Sequence, residues 1–568
     1  MKNMRRSTRR NAFRLLAAVL ALMLAACACA EGWPDGGQWP AADWGTDGTA
    51  DLGTADSGGW GVQTGDAAAL DSSAASTSAG DPFDADVRIG YVAQSGASLN
   101  PFTCNEWDLV SLNQLVFEPL VTLDENQQPA PMLADSWTHE GTEWTFTLRS
   151  GITFHNGASL TAYDVEATFN QFIAVGGGNP YSARLNQFIE SMTAVDDLTL
   201  SVTARYTGYF TLYAMNFPVV QSATLNDPMP RGTGPFWYTR YDVDSVVRIE
   251  ANPLWWQQSP TVTSVSFRYY SEIGNALEGL QTGEVEMLST RSSDAALLRK
   301  LSNLTSMDYG TTTYEMLVPN LSGDSPMSDI SVRRAVMYAV DRSTLATNAY
   351  LEMAVQSEVP VLPGTWLYES QSAQFYYSPE RALQLLYDAG WSDMTGDNIL
   401  EKLEGIRVEE LQVEIVTYNE DTNSIRENAA NMIADYLTVV GIRASVTVVD
   451  RDDIEDVLDG GEYDLALIGV NLSEIPVLQP LLATGGSLNY SGYSSTEMDN
   501  LISATASAQT AEELSRLYSE IQLRVVDELP FLGLLFRAGT VLSTRSLGGL
   551  SGIRAMNAFR GLEYLTDS

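Results

Sequence analysis

Lysine is almost missing from this chain: Lys2, Lys300 and Lys402 are the only three among 568 residues. Histidine occurs twice, at His139 and His155, and cysteine three times, at Cys27, Cys29 and Cys104. Each scarcity excludes something. Without a lysine in a glycine-rich turn there is no phosphate loop of the Gly-x-x-x-x-Gly-Lys kind. Structural zinc sites draw on several cysteines and histidines, and His139 and His155 stand 16 residues apart with no third partner of that type close by. Three cysteines cannot build a disulfide framework. No Gly-x-Ser-x-Gly nucleophile elbow occurs either. Bases are short overall, 32 against 72 acids, for a net charge of −40. Six of them (Lys2, Arg5, Arg6, Arg9, Arg10 and Arg14) fall in the first 27 residues, which hold no acid. The remainder has 26 bases against 72 acids, or −46. Such a body is repelled by nucleic acid and by anionic lipid surfaces, so nucleic acid is not an expected partner.

What is present begins with an export signal. The basic stretch "MKNMRRSTRRNAFR" precedes the apolar run "LLAAVLALMLAA". The run is too short to span a bilayer, which takes about 20 residues, and the arrangement is that of a signal peptide. It ends in Leu24-Ala25-Ala26-Cys27, which resembles the bacterial lipobox. That resemblance implies cleavage before Cys27 and a lipid on its sulfur, with cleavage after Ala30 as the alternative. Residues 28–83 then read as an acidic tether rich in Gly, Ala and Asp, with no base. Such a composition buries too little apolar surface to offset its ordering entropy.

From residue 84 onward short strands alternate with helices. "DVRIGYVA", "EWTFTLRS", "LTLSVTA", "SVVRIEA" and "SVSFRYY" alternate apolar and polar residues as half-buried strands do. "TAYDVEATFNQFIA" has helical spacing with Thr161 or Ser159 as its cap. The helices "SPERALQLLYDAG" and "TNSIRENAANMIADYLTVVG" stop at Gly390 and Gly441. "IRASVTVVD" and "YDLALIGVN" follow as strands, which is the grammar of an α/β crossover. The stretch "LRSGITFHNGASLTAYDVEATF" reads as strand, turn at Asn156-Gly157 and helix, with His155 as a hydrogen-bonding turn residue and Asp164 as an acid in the first helical turn. In "DISVRRAVMYAVDRSTL" the amphipathic pattern turns one of Arg333 and Arg334 inward and the other to solvent. "WSDMTGDNILEKLEG" gathers Asp393, Asp397 and Glu401 around a glycine but lacks the alternating oxygen ligands of a calcium loop.

Several of these stretches together resemble one family. "LNPFTCNEWDLVSLNQLVFEPLVTLDENQQPAPMLADSWTHEGTEWTFTLRSGITFHNGASLTAYDVEATF", "GTGPFWYTRYDVDSVVRIEANPLWWQQSP", "ALEGLQTGEVEM", "SDISVRRAVMYAVDRSTL", "ALQLLYDAGW", "YDLALIGVN", "GYSSTEMDNLI" and "DELPFLGLL" occur in its order. The family is the extracytoplasmic solute-binding proteins of ABC transporters, in the oligopeptide/dipeptide/nickel-binding branch. The resemblance implies an α/β, two-lobed periplasmic-binding-protein-like fold of the type II, three-domain, large cluster C kind, with a hinge and an interlobe ligand cleft. It divides the chain into a first part of lobe one at 84–118, a second domain at 119–228, a return to lobe one at 229–312, lobe two at 313–534 and a final return at 535–568. It implies no catalysis and no cofactor or metal. Implied partners are a peptide or other small solute, the permease subunits of an ABC transporter, and the membrane through a lipid on Cys27, with the protein a monomer.

In peptide-binding members, the strand matching "YDLALIGVN" runs into a loop with a tryptophan and then an aspartate that pairs with the peptide's α-ammonium. Here Val470 stands at the tryptophan position and Ser473 at the aspartate position. Three readings stay open: Glu474 substitutes for the aspartate, the ligand lacks an α-ammonium as an oligosaccharide does, or the protein serves sensing and interaction rather than uptake. The ligand-binding candidates are Gln94 and Ser95 after the first strand, Asn105 after the Asn-Pro turn, and Asn320 at a strand end. Trp366 is a candidate aromatic wall. Asn471, Ser473 and Glu474 fall in the departing loop, and Asn489 and Tyr490 precede "GYSSTEMD".

Overall fold

The computed structural model describes residues 83–566 apart from 177–178, 324 and 421–423. Cys27, Cys29 and the segment 28–82 lie outside the described residues; Cys104 is a buried free thiol. No helix among the described residues is long and apolar enough to cross a membrane.

One eleven-stranded mixed sheet organises the molecule. In spatial order it runs Arg443–Val449, Gln412–Tyr418, Leu465–Asn471, Thr305–Pro319, Leu532–Ser543, Met287–Thr290, Phe83–Val92, Val262–Tyr270, Val246–Ala251 and Phe236–Asp242, with Ala354–Gln356 added against Leu532–Ser543. At one end, helix Ile425–Val439 is the crossover between the parallel strands Gln412–Tyr418 and Arg443–Val449. At the other, helix Ile273–Thr282 links Val262–Tyr270 to Met287–Thr290, both parallel to Phe83–Val92. Strand Leu465–Asn471 is an unbroken apolar run because helices and neighbouring strands cover it; Leu465, Ala466 and Leu467 are fully buried. A separate four-stranded antiparallel sheet is ordered Ala134–Glu140, Glu143–Leu148, Thr199–Ala204 and Ile189–Ala194. Glu143–Leu148 alternates exposed and buried residues along its whole length, as its sequence pattern predicts. Helices Ala162–Val175 and Pro180–Phe188 pack beside that sheet.

Helix starts follow local chemistry. Asp164 at the first turn of Ala162–Val175 accepts bonds from the N–H and hydroxyl of Thr161, and its other oxygen accepts from the N–H and hydroxyl of Ser222. The acid therefore pins a distant segment as well as capping its own helix. Asn179 caps Pro180–Phe188 by accepting from Tyr181 and Ser182, with Pro180 at the first helical position. Of the adjacent arginine pair, Arg333 is the inward one. It donates to the carbonyls of Met327, Ser328 and Glu528, while exposed Arg334 pairs with Asp527. Asp393, Asp397 and Glu401 do converge, within 4.8 Å. Their oxygens accept bonds from their own loop, from the N–H groups of Gly396, Asn398, Ile399 and Met394 and the hydroxyl of Thr395.

Two long strands, Thr305–Pro319 and Leu532–Ser543, pair antiparallel and belong to both halves of the fold. Thr313–Pro319 pairs with Leu465–Asn471 on one side, while Thr540–Ser543 pairs with Met287–Thr290 on the other. The register slips between Gly310 and Tyr314, an irregularity that bends a ladder and raises its twist. Just past it, Glu315 is fully buried. One of its oxygens accepts from Arg426 Nη2 at 2.9 Å and Arg537 Nε at 2.6 Å; the other accepts from Arg426 Nε at 3.1 Å. Burial pushes the Glu315 carboxyl upward, but Arg426 and then Arg537 outweigh it and hold it down to about 2. Glu420 completes the group, at 2.8 Å from each arginine. A side chain at Gly469 would meet Arg426 and Glu315 at 2.7 Å, so glycine is required there. Glu315→Leu strands two buried guanidinium groups against one remaining acid. A loss of about 3–5 kcal/mol in denaturant unfolding is expected, and an unchanged midpoint would show that the network contributes nothing to stability.

His155 does not bond within its own turn. Its Nδ1 accepts from the N–H of Gly232 and its Nε2 donates to the carbonyl of Gly234, both at 3.2 Å. The two bonds require the neutral ring, and burial first of all lowers its pKa from 6.5 to about 4. A folded value below the unfolded one gives stability that is present above about pH 6.5 and lost as pH falls towards 4. The full linkage is on the order of 3 kcal/mol. His155→Gln keeps one donor and one acceptor without titrating. Its melting temperature is expected to fall less than that of the native chain between pH 6.5 and 4.

Candidate functional site

The register slip opens onto a cleft that is partly open to solvent. Gly310, Thr311 and Thr312 of the slip form one wall, with Phe536 of the partner strand beside them. Loop 472–478, which leaves strand Leu465–Asn471, forms a second wall. Segment 360–367 supplies Pro360, Val361, Leu362 and Trp366. Across from these stand Gln127, Tyr213 of helix Phe210–Ala214, and Arg554 and Ala555 of the C-terminal segment.

Polar contacts tie the two sides together. Trp366 donates from its indole to Tyr213 Oη at 2.8 Å and from its backbone N–H to the Asn126 carbonyl at 3.0 Å. Tyr213 in turn donates its hydroxyl to the Gln127 carbonyl at 3.3 Å. Glu474 pairs with Arg184 of helix Pro180–Phe188 at 3.2 Å, and both side chains are nearly buried. Arg184 also donates to the Asn216 carbonyl and lies over the Tyr181 ring. The Tyr209 N–H donates to the Ala508 carbonyl at 2.8 Å, where a side chain at Gly208 would meet Ala506 at 2.5 Å. Backbones approach that closely only through glycine.

The loop after Asn471 is built locally. Asn471 accepts from the Thr313 hydroxyl at 2.8 Å, and the Leu472 N–H donates to the Thr312 carbonyl. Ser473 accepts from the Ile475 N–H at 3.1 Å, so its hydroxyl oxygen is engaged in the turn. Among the lining residues Glu474 and Arg554 are the charged ones, and none is His, Cys or Lys. No lining imidazole stands ready to activate Ser473 or Thr311, so the lining offers aromatic and aliphatic walls with a few donors and acceptors. That is the make-up of a binding site.

Of the residues singled out from sequence, Trp366, Ser473 and Glu474 line this cleft, and Asn471 ends the strand just before the lining loop. Six others are not among the lining residues. Gln94 is exposed, Ser95 donates to Asp244 at 2.6 Å, and Asn105 is exposed. Asn320 holds the carbonyls of Gly461 and Tyr463. Asn489 bridges the carbonyls of Ala483 and Tyr493, and Tyr490 offers its carbonyl to Tyr463. Sequence reasoning missed Arg184, Tyr213 and Arg554. They come from three segments far apart in the chain, and one signal was available for two of them: in a chain this short of bases, an arginine inside an apolar context is worth following.

The chain spans most of the length of the curated relatives it matches. It is 22% identical over 505 residues to the oligopeptide-binding protein AppA of Bacillus subtilis, covering 84% of this chain and 91% of that one. It is 24% identical over 441 residues to the dipeptide-binding protein of Escherichia coli, covering 71% and 80%. Among solved structures it resembles the nickel ABC transporter from Bacillus halodurans, with a TM-score of 0.72 at 20% identity over 83% of this chain and 98% of that one. The AppA structure solved with a nonapeptide gives a TM-score of 0.55 at 20% identity over 84% and 98%. These likenesses agree on a two-lobed α/β binding-protein fold. The family described as bacterial extracellular solute-binding proteins, family 5 Middle, matches residues 128–491. With that match covering more than half of the chain, the protein belongs to the family 5 extracellular solute-binding proteins.

Proposed function

We propose that this protein captures a peptide or peptide-like solute between its lobes and delivers it to the permease of an ABC importer, held at the outer face of the cell membrane by a lipid on Cys27. The observation that carries the reading is the cleft itself. Its walls come from both sides of the long strand pair, and ring, backbone and ion-pair contacts join them across it. Closure of that kind spends ligand energy on bringing lobes together rather than on chemistry. Relatives named for oligopeptide, dipeptide and glutathione binding support the solute class. The protein acts as a monomer, without catalysis and without a cofactor.

A second reading rests on one observation. Ser473 stands where an aspartate is expected, and Glu474, the nearest acid, is already paired with Arg184. A ligand without an α-ammonium, such as an oligosaccharide, or a sensing role accounts for that equally.

Two measurements separate these readings. The full chain in mild detergent is expected to rise in melting temperature with a mixed short-peptide library and to stay flat with oligosaccharides. The reverse pattern would sink the peptide assignment. Ser473→Asp is expected to tighten binding of free-amino peptides about tenfold, the worth of one charge-assisted bond, and to leave N-acetylated peptides unchanged. No change with either set would remove position 473 from the ligand's surroundings.

A further inference from the structure

Five arginines are at least nine-tenths buried: Arg333, Arg342, Arg426, Arg537 and Arg554. Burying a guanidinium group is costly unless it is paired or fully hydrogen-bonded. Three of the five are paired: Arg426 and Arg537 face Glu315, and Arg342 faces Glu358 at 2.9 Å. Arg333 has no ion pair among the described residues but donates to three carbonyls, its Nε alone being left without a partner. Arg554 has neither a pair nor such a set of bonds. Its side chain makes one long bond, from Nη1 to the Leu123 carbonyl at 3.3 Å, and it has no ion pair among the described residues. It lines the cleft.

The surroundings leave this charge without an ion pair. Glu474, the carboxylate that acts on it most, is itself paired with Arg184, whose Nε is buried without a hydrogen-bond partner. Arg560 Nη1 is likewise buried without one, and the acid that feels Arg560 is Glu563. Burial, ahead of any charge, pulls Arg554 below its usual pKa, the direction expected of a cation that lacks an anion.

We propose that Arg554 receives an anionic group of the ligand, and that the ligand is a carboxylate with an apolar body. One planar guanidinium fork matches one carboxylate. A phosphate would bring roughly two negative charges to this one unpaired guanidinium, leaving the surplus buried. Leu362, Leu472, Ile475, Val477 and Phe536 supply the apolar wall for the rest of the molecule. The choice of a free-acid peptide as first probe rests on the peptide reading above; the anion site does not.

The test uses two matched pairs on the full chain in detergent by calorimetry: an apolar tripeptide and its C-terminal amide, and 4-phenylbutyrate and 4-phenylbutyramide. Each acid is expected to bind about 30-fold or more tighter than its amide, the lower end for a buried charge pair. R554Q is expected to abolish that preference. Should circular dichroism show R554Q unfolded, R554K replaces it, with an expected tenfold or so loss of affinity for the acids and none for the amides. If neither peptide binds but 4-phenylbutyrate outcompetes its amide through Arg554, the peptide reading falls and the anion site stands. Equal binding of acid and amide in both pairs, a preference that survives the Arg554 substitution, or no binding by any probe overturns the proposal.

Discussion

The hydrogen-bond ladder between Thr305–Pro319 and Leu532–Ser543 is the constraint on which the rest of the molecule depends. Each strand pairs with one half of the sheet along part of its length, so neither half can be completed without the pair. A ladder resists shear along its length because register is fixed by side chains that alternate between faces. It yields more easily where the register is already broken. That break falls between Gly310 and Tyr314, and Gly310, Thr311 and Thr312 are also walls of the cleft. The irregular part of the connection and one wall of the cleft are thus the same three residues.

The buried group of Glu315, Glu420, Arg426 and Arg537 stiffens one side of that break. It joins both long strands, through Glu315 and Arg537, to the start of helix Ile425–Val439. Charges this deep give little net stability compared with a well-packed apolar core. What they impose is geometry, since a guanidinium fork accepts few arrangements. Gly469 shows how strict that is, for the group leaves no room for a β-carbon there. The contacts across the cleft, Glu474–Arg184, Trp366–Tyr213 and Tyr209–Ala508, are by contrast separate from one another. One strong internal brace facing a few separable contacts is the arrangement expected of lobes that part as bodies.

Much of the scaffold was legible in the sequence because it is written locally. Alternation marks Glu143–Leu148, Thr161 marks a helix start, and Gly390 and Gly441 follow helix ends with positive φ. The site was legible only where it, too, is local: Trp366, Ser473 and Glu474 line the cleft, two of them on one loop. Asn320 and Asn489 illustrate the opposite case. Each sits at a strand end or turn, as ligand-binding asparagines do, and each spends its amide on nearby carbonyls. A loop asparagine that holds its own loop and one that faces a ligand have the same sequence signature. Arg184 and Arg554 went unread for another reason: scarcity of bases makes an arginine worth following, but their significance is a relation between segments 370 residues apart.

Composition bears on the cleft in a way that only the fold exposes. A chain with 32 bases against 72 acids has an acidic partner available for nearly any arginine it buries. An arginine left without one is therefore conspicuous, and Arg554 is such a residue. The same scarcity gives Glu474 a double meaning. Read along the sequence, it is an acid displaced by one position from where an α-ammonium would be met. Read in space, it is the counter-ion of Arg184 and a neighbour of Arg554. Coulomb energy inside a partly dry cleft is large, so a carboxylate already paired with Arg184 has less left for a ligand's ammonium. Arg554 is the cationic residue of the lining, and Glu474 acts on it and on Arg184 at once, as Glu315 does on Arg426 and Arg537.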